Sequence, residues 1–166
     1  EAWQVYQQYS DNTMGVISDC RFPINKDSEK IANAGVQLLK AIRAQDPFLP
    51  LILDSSEEEN VKYAVECDAM FINKNSKSLD HDLSKIILHK FGFGDFIFRH
   101  ADTLEPMVRI HNLKELQDNI FTLPREALLF HITRNNVSRW LCSRALFPIS
   151  EFLKKITWQS LQDVDK

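Results

Sequence analysis

Three short apolar runs, separated by helical segments, constrain the fold of this 166-residue chain more than any other feature. The runs cover residues 14–19, 51–54 and 70–73. Short strands that are apolar almost throughout are typical of a parallel sheet whose two faces are both covered by helices. We therefore expect these runs to form three adjacent parallel strands.

The segments between the runs have the apolar spacing of amphipathic helices. Helices are predicted around residues 2–9, 31–42, 57–67 and 79–87. The polar stretch 22–28 contains Pro23 and is predicted to be a loop. Alternating helices and strands indicate the α/β class, and right-handed crossovers bring the carboxyl ends of all strands to one edge of the sheet. Ligands bind at that edge in open α/β sheets, and Asp19, Ser55 and Lys74 are expected there.

The pattern changes after Gly94. Two apolar runs around a four-residue turn at 101–104 predict a β-hairpin, and helices are predicted at about 113–120, 126–144 and 149–156. We expect two domains: an α/β domain over residues 1–91 and a small α+β module over residues 92–166.

The longest predicted helix carries polar side chains on one side: His131, Arg134, Asn135, Ser138 and Arg139. Such a group could receive an anion or a partner domain. A solvated helix face is the commoner explanation of the same pattern.

Composition limits the classes of partner. The chain is 44% hydrophobic and 26% charged, which is typical of a globular domain with a real core. A formal net charge of −3 offers no electrostatic footprint for nucleic acid. No apolar stretch approaches the roughly 20 residues that span a bilayer, so no membrane partner is expected. The cysteines at 20, 67 and 142 are isolated, which favours free thiols and a cytoplasmic location.

The strand ends together resemble the receiver domain of two-component response regulators. "GVISDCRFP" (15–23) resembles the family's phosphoacceptor segment, in which a strand ends at Asp and Pro follows four residues later. "QLLKAIRAQDPFLPLILDSS" (37–56) resembles its third helix and fourth strand, and "CDAMFINKNS" (67–76) resembles its fifth strand and lysine. The resemblance covers roughly residues 1–91 and implies a flavodoxin-like, doubly wound parallel sheet.

The resemblance implies a role for each residue at the strand ends. Asp19 would be the nucleophile that accepts a phosphoryl group as an acyl phosphate. Ser55 would hydrogen-bond one phosphoryl oxygen and Lys74 would pair with another, because phosphoryl transfer depends on positioning and charge neutralisation. Phe71 falls at the family's aromatic switch position. Each of Asp19, Ser55 and Lys74 taken singly has an ordinary explanation: a loop cap, a helix N-cap and a solvated charge, respectively. The three residues together and in this order favour a phosphoryl site.

Mg²⁺ is the cofactor that the resemblance implies, held by Asp19 and by the backbone carbonyl of Arg21. In the family an acidic pair at the end of the first strand also holds the ion, and that strand would precede Glu1. Without the pair, binding is expected to be weak or absent, because Mg²⁺ prefers octahedral oxygen ligation with carboxylates. Asn75 stands where the family usually has the proline that follows its lysine.

The second half of the chain extends the resemblance. "FGFGDFIFR" (91–99) and "ALLFHITRNNVSRWLCSRALF" (127–147), after a receiver-like start, resemble the N-terminal regulatory region of large bacterial proteins. Those proteins continue into a phosphoenolpyruvate synthase or pyruvate, phosphate dikinase-like region. The resemblance implies a regulatory domain that a sensor kinase or a small phosphodonor phosphorylates and that controls an attached C-terminal output, with homodimerisation as a further expectation.

The resemblance also predicts what lies beside the run 14–18. In the flavodoxin-like strand order 2-1-3-4-5 the first strand lies beside the third, so this run would lie at the flank of the sheet. Proteins normally cover an apolar edge strand, and nothing after residue 95 is a good replacement. We therefore expect that a strand–helix–strand unit of about 40–50 residues precedes Glu1.

Two other functions remain open. A receiver-like domain that never takes up phosphate would serve as a protein interaction module, and the residues before Glu1 would distinguish it from a working receiver. A small enzyme with an aspartate nucleophile, as in haloacid-type phosphatases, is disfavoured because Arg21 stands where the second aspartate would be.

Overall fold

The computed structural model describes residues 1–23 and 29–156, and the chain divides into two compact units. The units are Glu1–Lys85 and Ile86–Lys166, so the boundary lies a little before the predicted one after residue 91. Within the described residues, no helix combines the length and the apolar character needed to cross a bilayer.

The first unit alternates helices with short strands. In chain order its elements are α1 (Ala2–Tyr9), β1 (Val16–Asp19), β2 (Phe22–Pro23), β3 (Lys30–Ile31), α2 (Ala34–Gln45), β4 (Leu51–Ser55), α3 (Val61–Glu66), β5 (Met70–Asn73) and α4 (Leu79–His89), the last of which continues past the unit boundary.

Strands β1, β4 and β5 form a three-stranded parallel sheet in the order β1-β4-β5. The predicted set of adjacent parallel strands is therefore confirmed, and the protein has the α/β architecture expected from its sequence. The register aligns Asp19 with Asp54 and Asp54 with Ile72. Since side chains opposite each other in register lie on the same face of a sheet, the two aspartates are neighbours.

The apolar runs form strands because burial removes their side chains from water. Leu51 and Leu53 are almost completely buried, and Leu39 and Ile42 of α2 pack with them in the same core cluster. Cys20, directly after β1, is also buried in this cluster. The free energy gained from apolar burial, about 25 cal/mol per Å², thus fixes α2 against β4 and against Cys20, the residue that follows Asp19.

The segment after β1 differs from the predicted loop. Phe22–Pro23 pairs antiparallel with Lys30–Ile31 as a small two-stranded sheet. Pro23 takes part although proline cannot donate a backbone hydrogen bond, which is consistent with a strand that has only one partner. The prediction of a loop over 22–28 is therefore wrong for its first two residues, and residues 24–28 lie outside the described chain.

The second unit is a β-hairpin followed by helices, as predicted. Strands β6 (Phe96–Arg99) and β7 (Pro106–Ile110) pair antiparallel. The helices are α5 (Leu113–Asn119), α6 (Arg125–Thr133), α7 (Asn136–Cys142) and α8 (Phe147–Lys154).

The predicted helix over 126–144 is in fact two helices. The helix is interrupted at Asn135, whose φ of 57° and ψ of 20° lie in the left-handed region. Asparagine enters that region more readily than most residues, and its N–H donates to the Ile132 carbonyl in a tight turn. Side chains from both helices, Leu128 and Ile132 of α6 and Val137, Trp140 and Leu141 of α7, belong to or pack against one core cluster.

A second core, rich in aromatic residues, lies within this unit. Trp140 is 1% exposed and its indole N–H donates to the Gly94 carbonyl at 3.0 Å. Phe96 and Phe98 of the hairpin belong to the same cluster. The cysteines at 20, 67 and 142 are all free and buried, which confirms the prediction of free thiols.

Candidate functional site

The carboxyl edge of the sheet brings Asp19 and Lys74 into direct contact. Asp19 is the last residue of β1, and Lys74 directly follows β5. The Lys74 Nζ lies 2.9 Å from Asp19 Oδ2. The prediction that these two side chains lie within ion-pair distance at one edge of the sheet is confirmed. The Lys74 side chain is 37% exposed and the Asp19 side chain is 44% exposed, so solvent and a small ligand can reach both.

The surroundings favour an ionised Asp19. Partial burial opposes its negative charge, but the hydrogen bond from Lys74 and that from the backbone N–H of Arg21 outweigh it and lower the pKa of Asp19. The hydrogen bond to Asp19 raises the pKa of Lys74. At neutral pH the edge therefore holds a carboxylate beside an ammonium, the charges that a phosphoryl acceptor and its stabilising cation need.

Asp54 is a second carboxylate at this edge, and the sequence analysis assigned it no role. Its Oδ2 lies 3.7 Å from Lys74 Nζ, so the ammonium is placed between two aspartates. Burial is the main cause of a raised pKa for Asp54, and the nearby charge of Asp19 adds to it while Lys74 opposes it. The information needed to identify Asp54 is the register of β1 and β4, which the sequence alone does not give. This register aligns Asp54 with Asp19 and so places both side chains on one face of the sheet.

Ser55 lies beside Lys74 through the main chain. The Lys74 N–H donates to the Ser55 carbonyl at 2.9 Å. The Ser55 hydroxyl oxygen instead accepts hydrogen bonds from the Glu57 N–H at 3.1 Å and from Asn60 Nδ2 at 2.9 Å, and the residue is buried. This geometry is that of a cap on the turn that follows β4. The role of Ser55 toward a phosphoryl oxygen stays a prediction.

Phe71 is partly buried and packs against the core of the first unit. Its role as an aromatic switch stays a prediction. The Arg21 guanidinium forms an ion pair with Glu57 at 2.8 Å, and the Arg21 N–H donates to Asp19 Oδ1 at 3.2 Å.

Asp19 and the Arg21 carbonyl are the Mg²⁺ ligands that the sequence predicts. Among the described residues, no group of three or more acidic, histidine or cysteine side chains is arranged to hold a metal ion. One oxygen of Asp19 faces Lys74 and the other accepts from Arg21. A hard cation that prefers octahedral oxygen ligation would need further oxygen donors, so Mg²⁺ at Asp19 and the Arg21 carbonyl stays a prediction.

Gly35 fixes the position of Asp19 from the side of α2. A Cβ atom at Gly35 would lie 2.0 Å from the Asp19 carbonyl oxygen, and the Gly35 N–H donates to the Cys20 carbonyl at 3.1 Å. Only glycine allows the start of α2 to approach the strand end this closely.

Three of the five polar residues predicted on the 126–144 segment lie inside the second unit, and Arg134 and Asn135 are half-buried. His131, Ser138 and Arg139 are buried. The His131 Nε2 accepts from the Arg99 N–H at 2.9 Å, and burial lowers the pKa of His131 to about 4. The Arg139 guanidinium donates to the Arg134 carbonyl and to Asn136 Oδ1. Packing against the hairpin, which the helix pattern alone does not reveal, makes this cluster internal.

No family model, curated protein or solved structure matches this chain, so the functional interpretation rests on the geometry of the site.

Proposed function

We propose that the first unit is a regulatory domain of the receiver type, which accepts a phosphoryl group on Asp19. The observation that carries the proposal is the 2.9 Å contact between Asp19 and Lys74 at the carboxyl edge of a parallel sheet. The order β1-β4-β5 is also what the last three strands of a flavodoxin-like sheet, 2-1-3-4-5, would have.

The chemistry follows from the charges at the edge. A carboxylate oxygen of Asp19 attacks the phosphorus of a donor, the bond between phosphorus and the donor's oxygen (a small phosphodonor) or nitrogen (a phosphohistidine of a sensor kinase) breaks, and the donor leaves with that electron pair. The product is an acyl phosphate that carries close to two negative charges in place of the single charge of the Asp19 carboxylate. Lys74 is already within hydrogen-bonding distance of Asp19 and would neutralise part of that charge. A sensor kinase or a small phosphodonor would supply the phosphoryl group.

The proposal extends to regulation of an attached output. The added charge would alter contacts at the edge of the sheet, and the change would reach a C-terminal phosphoenolpyruvate synthase-like region that the sequence resemblance implies. Homodimerisation and Phe71 as the switch belong to the same proposal.

Labelling with acetyl phosphate, with and without Mg²⁺, tests the acceptor. Intact mass spectrometry should detect one added phosphoryl group that hydroxylamine removes, as expected of an acyl phosphate. Asp19→Asn should abolish the label, whereas Asp80→Asn, an exposed acid on α4, should keep it. Undiminished labelling of Asp19→Asn would assign the nucleophile elsewhere.

A second candidate is a receiver-like interaction module that takes up no phosphate. It is favoured by the engagement of the Ser55 hydroxyl in a cap. Absence of label on a domain that contains the family's upstream acidic pair would support this candidate over the first.

A further inference from the structure

Asp54 is the feature of the sheet edge that the proposed function does not use. It follows three buried apolar residues of β4 and precedes the buried Ser55. Its side chain is 26% exposed, less than that of Asp19 or Lys74. An aspartate at the end of an apolar strand loses solvation on folding, so its presence there calls for a physical explanation.

The hydrogen bonds of Asp54 are incomplete. Its Oδ1 is buried and has no hydrogen-bond partner among the described residues. Its Oδ2 is 3.7 Å from Lys74 Nζ, a distance for an ion pair but too long for a strong hydrogen bond. A buried acceptor without a partner costs stability, and native proteins retain few of them. The carboxylate is therefore held at the edge by its attraction to Lys74 more than by local hydrogen bonding.

The contacts of Lys74 are unequal. Its ammonium is 2.9 Å from Asp19 and 3.7 Å from Asp54, so it forms a hydrogen bond with the first carboxylate and a looser ion pair with the second. A phosphoryl group on Asp19 would replace one negative charge with about two, and Lys74 would be drawn toward it. Asp54 opposes that step in two ways, because it attracts Lys74 and repels the incoming anion.

We infer that Asp54 is a positioning residue for Lys74 and that it restrains phosphorylation of Asp19. The second part of this inference rests on the proposed function. In the unphosphorylated state Asp54 keeps the ammonium at the sheet edge even when Asp19 is not its partner. During phosphoryl transfer Asp54 competes with the phosphoryl group for the same ammonium.

The first part is tested without phosphorylation, by acetylation of Lys74 with an amine-reactive ester. Peptide mass spectrometry measures the rate in Asp19→Asn and in the double variant Asp19→Asn/Asp54→Asn, with Lys77 as the internal reference. Loss of Asp54 should raise the rate at Lys74 about two- to fivefold, the range expected of a partly exposed ion pair. Asp54→Glu in the same background should restore slow labelling, and Glu59→Gln, which removes an exposed charge, should have no effect. Equal rates with and without Asp54 would overturn the positioning role.

The second part is tested by the initial rate of Asp19 labelling with acetyl phosphate. Asp54→Asn should label about two- to fivefold faster than the unmodified chain. Asp54→Glu and Glu59→Gln should both label at the unmodified rate. A rate for Asp54→Asn equal to or below that of the unmodified chain would overturn the restraint. If neither the unmodified chain nor Asp54→Asn takes up the label, the proposed function fails. The Lys74 acetylation rates then still decide whether Asp54 holds the lysine.

Discussion

The sheet edge of the first unit and the His131 cluster of the second unit both gather polar side chains, but they treat them differently. At the edge, Asp19 and Lys74 are more than one-third exposed, and Asp54 Oδ1 has no hydrogen-bond partner among the described residues. In the cluster, His131 and Arg139 are buried and hydrogen-bonded to neighbouring groups of the same unit. Polar groups whose hydrogen bonds are satisfied internally have little hydrogen-bonding capacity left for a ligand. The groups at the sheet edge keep such capacity.

The difference has an energetic side. A buried polar group that loses its partner carries the full desolvation penalty, so the cluster should contribute strongly to stability. Ion pairs between exposed side chains contribute about 0–1 kcal/mol. The comparison therefore assigns stability to the buried aromatic and histidine core, and ligand chemistry to the edge.

Replacing Trp140 should produce the largest loss of stability. Trp140→Ala removes a ring that is 1% exposed and a hydrogen bond to Gly94, and should lower the free energy of unfolding by about 3–5 kcal/mol. Trp140→Phe retains an aromatic ring and should lose about 1–2 kcal/mol. Denaturant titration measures both values. A loss below about 1 kcal/mol for Trp140→Ala would break the assignment of stability to this core.

Acidification should destabilise the protein through His131. The folded pKa is about 4 and the ordinary value is 6.5, so between these pH values the unfolded chain binds a proton that the folded chain excludes. This contribution is fully present above about pH 6.5 and is lost as the pH falls toward 4, to a total of about 3 kcal/mol.

Denaturant titrations from pH 7 to 4.5, compared with those of His131→Gln, isolate this contribution. The variant should be less stable at pH 7 and should lose less stability on acidification. Parallel pH profiles for the two proteins would contradict a neutral, buried His131 and would weaken the contrast with the sheet edge.

Gly35→Ala tests the sheet edge itself, because it disturbs both the packing of α2 and the position of Asp19. The added methyl group would meet the Asp19 carbonyl oxygen at 2.0 Å, so strand or helix must shift. We expect a loss of about 1–3 kcal/mol and altered amide chemical shifts around Asp19. Ala44→Gly, an exposed position on the same helix, should lose no more than about 1 kcal/mol. An Asp19 environment unchanged in Gly35→Ala would refute the close packing.

Asp19→Asn should have the smallest effect on stability. The ion pair that it breaks is partly exposed, so the free energy of unfolding should fall by less than about 1 kcal/mol, and the difference should shrink in high salt. Thermal unfolding at low and high ionic strength measures it. A loss of more than about 2 kcal/mol would mean that the edge is a structural element and would remove the contrast with the His131 cluster.

The sequence predicted the sheet because the relevant signals are local. Each apolar run shows its own strand, and the crossover rule then places Asp19 and Lys74 together. Asp54 was missed because its role depends on the register between two strands, which the runs alone do not determine. The break at Asn135 and the burial of His131 were missed because the apolar spacing continues through the break and the hairpin that covers the histidine lies far away in the sequence.

The reactivity of the buried thiols reports how often each unit opens. Cys20 and Cys67 lie in the first unit and Cys142 in the second. Burial raises the pKa of the thiols of Cys20 and Cys67, so both react slowly while the fold is closed. A thiol reagent therefore reaches each cysteine mainly during transient opening of its surroundings. Residue-resolved alkylation rates would report the opening of the two units separately, with no cysteine introduced by mutation.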